Sequence, residues 1–389
     1  MASEPVRFNT NFEGASLGTV EVLGESSFRC HVKGQQDERG RNRQASWYFF
    51  RMDGVRDRDL TLTMTDFVGE YDGKPGACPM GPEIVPVFSN DGEHWREVPS
   101  VSWDDRAKEA TIRLRAEADS VWIAHQPPYT TRRLARLLEE VDHCDDARVE
   151  VIGKTVQGRD LHLITVTDAD VPDRDKVTVW LQARQHAWES GTSFVMEGAL
   201  RFVISDDPAA RALRRRAVFK FTPMVDPDGC ANGQVRFNAN GFDVNRHWDE
   251  VDLRQKRFLA RMPEIWYVKK AIHHHLATVG PIALMVNLHN TETGEYLQTS
   301  AGDAASRVVV ARLDRRLTQE AGFHPSYGPV VGAPKDGTAN SLNPEAGVLV
   351  LLMERRIARD PRTRRPPTPD DRLAFGAQLI RIMAESARP

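Results

Sequence analysis

The sequence predicts an α/β protein in which a mixed β-sheet, flanked by helices on both faces, follows an antiparallel β-sandwich. Residues 1–127 alternate short apolar runs with turn signals such as Asp72-Gly73 and Asn90-Asp91-Gly92, a pattern typical of antiparallel sheets. From about residue 130 onward, apolar strand candidates alternate with amphipathic helices, which favours a sheet covered by helices on both faces. A chain of 389 residues also exceeds the comfortable size of one hydrophobic core, so two domains are expected.

We predict an N-terminal domain over residues 1–127 and a second domain over residues 128–389. Aromatic and apolar runs mark strands of the first domain at Trp47–Phe50, Leu60–Met64 and Val121–Ala124. Two prolines then interrupt the chain in Gln126–Tyr129, and helical periodicity begins directly after them. Because Thr130 and Thr131 can cap the first turn of that helix, the boundary is placed just before them.

The second domain contains a regular succession of strand and helix candidates. Strands are predicted at 148–153, 160–167, 177–183, 218–222, 283–288 and 347–353, and helices at 191–204, 251–276, 303–321 and 369–386. In open α/β sheets, ligands bind outside the carboxyl ends of the strands. His186 and Glu189 follow one such end and His289 follows another, so these side chains are expected to converge.

Composition narrows the classes of partner. The formal net charge is −3 and charged residues make up 28% of the chain, which gives no reason to expect nucleic acid or an anionic membrane as a partner. The four cysteines are scattered singly without a Cys-x-x-Cys pair, so no disulfide framework is expected. No basic N-terminal region precedes an apolar stretch, and no segment is apolar for long enough to span a bilayer. A cytoplasmic location is expected, and the oligomeric state stays open.

His186-x-x-Glu189 is a candidate zinc half-site, because both side chains leave one strand-to-helix turn. His289 would complete a set of two histidines and one carboxylate that leaves a coordination position open, as in hydrolytic zinc sites. The alternatives are a chance pair at a helix N-terminus and a histidine that only caps a strand. The cluster His273–His275 lies in a polar helix, where consecutive residues point to different faces, and is expected at the solvated surface.

Further motifs accompany these residues in a fixed order. They are His186-x-x-Glu189, Pro223-x-x-x-Pro227-Asp228-Gly229, Arg236, Asp243-x-Asn245-Arg246-x-Trp248 and the strand-final His289. Together they resemble the zinc carboxypeptidases, and among these the cytosolic carboxypeptidase branch. Ile152–Asp160 is similar to the opening strand and turn of the family, and Ser46–Arg51 resembles the aromatic strand of its sandwich domain. The resemblance implies a zinc carboxypeptidase-like fold and one Zn²⁺ per chain.

The same resemblance assigns roles to residues outside the metal site. Asn245 and Arg246 offer an amide and a planar guanidinium, which suit the bidentate binding of a terminal carboxylate. Arg236 is expected to stabilise the oxyanion that develops on the attacked carbonyl. Glu354 follows the apolar run Gly347–Met353 and occupies the strand-final position of the family's general base. Glu292 and Glu295 are the alternative acids.

Two positions depart from the family pattern. Asn340 follows Gly337-Thr338-Ala339, where glutamate-removing members have an arginine that receives the departing side chain. Lys335, or an arginine between 355 and 365, is a candidate replacement. Asn290 replaces the glycine that usually follows the third ligand, and Tyr327 is the candidate for a substrate-capping tyrosine.

The sequence thus predicts a zinc-dependent carboxypeptidase that acts on peptide or protein C-termini and removes the last residue, with glutamate or a γ-linked glutamate as candidates. Its catalytic residues would be Glu354 and Arg236, and the metal ligands His186, Glu189 and His289. A zinc-dependent deacylase of small N-acyl amino acids is one alternative. The other is a degenerate carboxypeptidase fold that only binds a partner.

Overall fold

A computed structural model describes residues 5–333 and 337–387. Its N-terminal part is built from strands alone. They are β1 (Arg7–Asn9), β2 (Val20–Gly24), β3 (Ser27–His31), β4 (Phe49–Asp53), β5 (Asp59–Thr65), β6 (Gly69–Tyr71), β7 (Lys74–Ala77), β8 (Val87–Ser89), β9 (Arg96–Glu97), β10 (Ser100–Asp104), β11 (Glu109–Arg115) and β12 (Ser120–Ala124). The prediction of a strand-rich first domain is therefore confirmed.

Two five-stranded sheets of this part share one apolar core. Their orders are β1-β4-β12-β8-β9 and β10-β11-β5-β3-β2, while β6 and β7 form a separate hairpin. In β5 the buried Leu60, Leu62 and Met64 alternate with half-buried threonines, as expected for a strand with one face on the core. One pairing differs from the antiparallel prediction, because β3 runs parallel to β5.

The second part alternates strands and helices. They are α1 (Thr131–Asp142), β13 (Ala147–Lys154), β14 (Asp160–Val166), β15 (Val177–Gln182), α2 (Ser190–Ile204), α3 (Pro208–Arg214), β16 (Ala217–Thr222), α4 (Pro227–Asn232), α5 (Lys256–Arg261), α6 (Pro263–Thr278), β17 (Ile282–Thr291), β18 (Tyr296–Thr299), α7 (Ala304–Glu320), β19 (Val330–Val331), α8 (Leu342–Ala346), β20 (Val350–Arg356) and α9 (Pro369–Ser386). Short 3₁₀ turns lie at Asp173–Asp175 and Ala339–Ser341.

These strands form one eight-stranded mixed sheet in the order β13-β14-β16-β15-β17-β20-β18-β19. The central strands β16, β15, β17 and β20 are parallel, and antiparallel pairs join them to β14 on one side and β18 on the other. One face packs on α1, α2, α7 and α9, and the other face packs on α6. The predicted mixed sheet with helices on both faces is confirmed.

Two details of this part differ from the sequence prediction. The single helix expected over 251–276 is two helices, α5 and α6, that meet at Met262 and Pro263. Proline lacks an N–H and disfavours the helical conformation of the residue before it. His275 is buried and hydrogen-bonds Thr178, so the His273–His275 cluster is not wholly at the surface.

The two parts of the chain share a core. Trp188, Val235, Ile357 and Ala358 of the second part belong to the apolar cluster of the N-terminal sheets. The predicted boundary at 127/128 falls between the end of β12 and the start of α1, and it stays a prediction because the packing crosses it. A search of the described helices finds none with the length and apolar character of a membrane span.

Candidate active site and metal centre

The carboxyl ends of β15, β17 and β20 meet at one cavity of about 500 Å³. His289 on β17 lies directly opposite Glu354 on β20, and His186 follows β15. The predicted site residues that line the cavity are His186, Glu189, Arg236, Asn245, Arg246, His289, Asn340 and Glu354. Side chains that the sequence places up to 168 positions apart are thus brought together by parallel strand ends, as open α/β sheets bring them.

A strained turn presents the first ligand. After β15, Arg184 takes a left-handed backbone conformation with φ of 58°, which is costly for a residue with a side chain. Its buried guanidinium donates to the carbonyl oxygens of Ala187 (2.6 Å) and Tyr129 (3.2 Å). These bonds hold the turn that directs His186 toward the cavity.

The three predicted ligands form a compact buried group. One ligand atom from each of His186, Glu189 and His289 lies within 4.8 Å of the others. His186 Nδ1 is 2.8 Å from Glu189 Oε1, and His289 Nδ1 is 3.0 Å from Glu189 Oε2. The second contact lacks hydrogen-bond geometry, so that buried carboxylate oxygen has no hydrogen-bond partner among the described residues. Two imidazole nitrogens facing one carboxylate are a donor set that fits zinc.

The pKa values of Glu189 and His289 favour the charge states that bind a cation. Burial alone would raise the pKa of Glu189, but the imidazoles of His289 and His186 hold that pKa at about 2. Burial lowers the pKa of His289, against the opposing effect of Glu189. An ionised carboxylate and a neutral imidazole are the forms that bind a metal ion.

Asp243 organises the site, although no role was predicted for it from the sequence. His186 Nε2 lies 3.0 Å from its Oδ1, and Arg236 Nε donates to its Oδ2 at 2.6 Å. The backbone N–H of Asn245 also donates to Oδ1, at 2.8 Å. Although burial opposes ionisation, Arg236 and His186 hold the pKa of Asp243 well below its usual range. The signal in the sequence that could have identified Asp243 is its place as the first residue of the Asp243-x-Asn245-Arg246 motif.

His289 has a different outer contact. Its Nε2 lies 3.0 Å from the side-chain nitrogen of Asn287, and that nitrogen donates to Gln185 Oε1 at 2.5 Å. Gln182 donates to Asn287 Oδ1 at 3.1 Å. A chain of buried amides therefore fixes the orientation of the second imidazole.

Arg236 and Arg246 both line the cavity, and both contact Tyr71. Arg246 donates through Nη1 to the carbonyl of Asn245 at 3.1 Å and through Nη2 to the hydroxyl of Tyr71 at 3.2 Å. The ring of Tyr71 lies 5.2 Å below the guanidinium of Arg236. Tyr71 belongs to the hairpin β6–β7 of the N-terminal domain. Sequence periodicity could not predict that this hairpin contributes a side chain to the cavity.

Glu354 faces the cavity from the end of β20. Its Oε2 has no hydrogen-bond partner within the described ranges. Burial, followed by the neighbouring carboxylates Glu189 and Glu292, raises the pKa of Glu354 well above its ordinary value. A carboxyl whose proton affinity is raised is suited to take and return a proton near neutral pH.

The two alternative acids, Glu292 and Glu295, lie in different surroundings. Glu292 lines the same cavity, and burial raises its pKa. Glu295 is instead paired with Arg355 at 3.1 Å and accepts from the backbone of His324. It is therefore engaged outside the cavity and is unavailable as a base.

The role of Tyr327 as a substrate-capping residue stays a prediction, and Arg355 is a second candidate for the cavity wall. Tyr327 is absent from the cavity lining, whereas Tyr296, which also lies between His289 and Glu354 in sequence, lines it. The rings of Tyr296 and Tyr327 stack at 5.0 Å. Arg355 was a candidate for binding an acidic substrate side chain. It follows Glu354 on β20, and successive side chains of a strand point to opposite faces. The guanidinium of Arg355 therefore points away from Glu354 and lies 3.7 Å over the ring of Phe375.

The wall around Asn340 is polar and uncharged. Asn340 lies in the cavity with Thr338, Gln298 and Leu352, and its Oδ1 has no hydrogen-bond partner among the described residues. In the described part of the chain, the arginines and lysines that line the cavity are Arg236 and Arg246. Lys335, the other candidate for an acidic side chain, lies outside the described residues.

Two family models match the chain. Residues 134–297 match the zinc carboxypeptidase model, and residues 8–125 match the model of the cytosolic carboxypeptidase N-terminal domain. The cytosolic carboxypeptidase 6 of Mus musculus is 28% identical over 258 residues, which are 62% of this chain and 46% of that protein. An uncharacterised protein of Zymomonas mobilis is 27% identical over 289 residues, 74% of this chain and 68% of that one. The chain thus spans less than half the length of the mouse relative.

Solved structures share the whole architecture. A metallo-carboxypeptidase from Burkholderia cenocepacia superposes with a TM-score of 0.84 at 24% identity, over 98% of this chain and 99% of that one. A metallo-carboxypeptidase from Pseudomonas aeruginosa, solved with (2-guanidinoethylmercapto)succinic acid, gives 0.83 at 21% identity, over 98% and 100%. The expected fold is confirmed, and the chain combines a domain that matches the cytosolic carboxypeptidase N-terminal domain with a domain that matches the zinc carboxypeptidases.

Proposed function

We propose that this protein is a zinc-dependent carboxypeptidase that releases the C-terminal residue of a peptide or protein. The observation that carries the proposal is the convergence, in one cavity, of a metal-binding triad, a pair of arginines and a carboxyl of raised pKa. One Zn²⁺ per chain would be held by His186, Glu189 and His289. It would supply a Lewis acid for the scissile carbonyl and for a water nucleophile.

The residues of the chain account for the remaining steps. Asn245 and Arg246 bind the terminal carboxylate, because a guanidinium and an amide match its two oxygens. Arg236 is linked to His186 through Asp243, and its charge stabilises the oxyanion that forms on the carbonyl. Glu354 accepts the proton of the attacking water and returns it to the nitrogen of the leaving amino acid, so that the proton count balances.

The leaving side chain is the finer part of the proposal. Both described cations of the cavity are committed to the carboxylate and the carbonyl, and the remaining wall offers the neutral Gln298, Thr338 and Asn340. A glutamate side chain, α- or γ-linked, would meet these amides and hydroxyls. We therefore expect C-terminal glutamate to be accepted together with neutral residues of similar size.

The supporting experiment combines metal content with product release. Mass spectrometry should find one zinc per chain, and peptides that differ only in the last residue should release free amino acids. Peptides with a C-terminal amide should be poor substrates. Glu354→Gln should lower kcat by about a hundredfold or more, with zinc content unchanged. Metal-free purified protein, or a Glu354→Gln variant as active as the parent, would overturn the proposal.

The same assay separates the other candidate functions. Faster turnover of small N-acyl amino acids than of peptides would identify a deacylase. Bound zinc without turnover of either class would identify a binding protein on a carboxypeptidase fold. The names of the cytosolic relatives support a cytoplasmic location, which fractionation of cells that express the tagged chain would test.

A further inference from the structure

The hairpin β6–β7 brings the N-terminal domain into the active site. Its turn is Asp72-Gly73, where both residues have left-handed φ values of 47° and 76°, the geometry favoured for tight two-residue hairpins. Several residues of the N-terminal domain line the catalytic cavity together with this hairpin. They are Gln44, Ala45, Ser46, Tyr71, Ala77, Cys78 and Pro79.

The hairpin is fixed to the segment before β4. Glu70 donates its backbone N–H to the carbonyl of Arg43 at 2.8 Å, and its carboxylate pairs with Arg41 at 2.7 Å. The N–H of Gly73 donates to the side chain of Asn42 at 2.8 Å. A Cβ atom on Gly69 would lie 1.9 Å from the Arg43 carbonyl, so only glycine permits this close approach. The position of Tyr71 is therefore set by its own domain.

Tyr71 contacts both arginines of the cavity. Its ring lies below the Arg236 guanidinium at 5.2 Å, a distance at which the ring attracts the cation. Its hydroxyl oxygen accepts a hydrogen bond from Arg246 Nη2 at 3.2 Å. A phenol hydroxyl both accepts and donates, and no acceptor for its proton lies among the described residues that contact it. The side chain is 40% exposed and lines the cavity, so a substrate can reach this hydroxyl.

We propose that Tyr71 is a substrate-binding residue whose hydroxyl donates to the terminal carboxylate of the substrate while it accepts from Arg246. This inference rests on the proposed function. The N-terminal domain then supplies one of the groups that distinguish a free C-terminus from a blocked one. Its ring also limits the orientations of Arg236, which faces the scissile carbonyl.

The test compares Tyr71→Phe, which removes only the hydroxyl, with Tyr71→Ala, which removes the ring as well. Each variant is assayed on N-acetyl tripeptides that differ in the last residue. We expect KM to rise about fivefold in Tyr71→Phe with kcat unchanged, the effect of one hydrogen bond in a partly exposed site. Tyr71→Ala should also lower kcat, because Arg236 loses its aromatic support. Tyr267→Phe, a tyrosine on α6 remote from the cavity, is the matched control.

A binding measurement excludes a purely structural role. In the Glu354→Gln background, calorimetry compares one tripeptide as free acid and as C-terminal amide. Added Tyr71→Phe should weaken binding of the acid about fivefold and leave binding of the amide unchanged. Equal weakening of both, or no change for the acid, would overturn the inference. If the parent enzyme releases no amino acid from any peptide, the proposed function fails instead, so the two failures are distinguishable.

Discussion

At the scale of the residue, Asp243 links the proposed metal site to the proposed substrate site. Its two oxygens accept from different partners, His186 on one side and Arg236 on the other. A carboxylate can accept on both oxygens, whereas an amide accepts on one and donates on the other. Replacing Asp243 by asparagine would therefore place a donor against either the imidazole or the guanidinium.

We predict that Asp243→Asn lowers zinc affinity by about 10- to 100-fold, the usual cost of losing an outer-sphere partner of a ligating histidine. Competition with a chromophoric chelator measures this directly. The half-buried Asp252, which pairs with Arg254 and does not line the cavity, provides the control variant Asp252→Asn, which should keep the parental affinity. A zinc affinity of Asp243→Asn within twofold of the parent would show that His186 is oriented by other contacts.

The residues of the site differ in how far the sequence could predict them. His186, Glu189, His289 and Glu354 follow apolar runs that end at one edge of the sheet, so strand periodicity sufficed to group them. Tyr71 reaches the cavity from the hairpin β6–β7 of the N-terminal domain, and its position depends on tertiary packing. The role of Tyr327 stays a prediction for the same reason, since a loop position in sequence does not fix which side chain enters the cavity.

At the scale of the element, the placement of Arg236 depends on a bridge between domains. The side-chain oxygen of Gln35 accepts the backbone N–H groups of Val235, Arg236 and Phe237 at 2.9, 2.7 and 3.0 Å, and its nitrogen donates to the carbonyl of Phe237 at 2.7 Å. One glutamine side chain thus supplies hydrogen-bond partners for the backbone of residues 235–237, which lie in a loop. Without it, the loop would present unpaired backbone groups.

Gln35→Leu is therefore expected to lower kcat about tenfold and stability by about 2 kcal/mol, because buried donors lose their acceptor. Peptide hydrolysis and urea unfolding of the same preparations measure the two effects. The adjacent Gln36 is exposed, and Gln36→Leu should match the parent in both assays. Parental kcat in a destabilised Gln35→Leu protein would mean that the bridge serves folding alone.

The helices behind the metal site pack through a reciprocal pair of glycines. A Cβ on Gly198 of α2 would lie 2.0 Å from the carbonyl of Leu373, and one on Gly376 of α9 would lie 1.9 Å from the carbonyl of Val195. Both obstacles are backbone atoms, which cannot rotate away. Since α2 begins directly after Glu189, the distance at which these helices pack also positions Glu189, a proposed metal ligand.

Gly376→Ala should accordingly destabilise the protein by about 1–3 kcal/mol through overpacking. The helix propensity of alanine alone would instead stabilise it by about 1 kcal/mol, so the sign of the change decides between the two effects. Urea unfolding gives that sign. Gly81→Ala serves as control, because nothing lies within 4 Å of a Cβ at that position. A stabilised Gly376→Ala protein would show that α9 can shift without cost.

At the scale of the whole molecule, the two domains behave as one packed unit. The same apolar cluster contains N-terminal strands and Trp188, which follows the first metal ligand. Gln126 donates to the carbonyl of Trp188 at 2.8 Å, and Trp188 donates its N–H to Val235. The secondary structure of each domain followed from local periodicity, but this interface has no local sequence pattern and required the structure.

His125 lies in this shared core and makes the interface sensitive to acid. Its ring packs against Tyr48 at 5.3 Å and Trp188 at 6.2 Å, and neither ring nitrogen has a hydrogen-bond partner among the described residues. Burial lowers the pKa of His125 to about 4 from its ordinary value of 6.5. Between these values the unfolded chain binds the proton and the folded chain does not, so stability is complete above pH 6.5 and declines toward pH 4.

The expected loss from this one group is about 2 kcal/mol between pH 7 and pH 5. His125→Phe removes the titrating ring and places an apolar one of similar shape between Tyr48 and Trp188, where no hydrogen bond is lost. The free energy of unfolding of this variant should therefore fall less on acidification than that of the parent, by about 2 kcal/mol at pH 5, and it should equal or exceed the parent value at pH 7. Urea unfolding at both pH values measures the difference. Parallel pH profiles for parent and variant would show that His125 is protonated in the folded protein, and would place the acid sensitivity of the interface elsewhere.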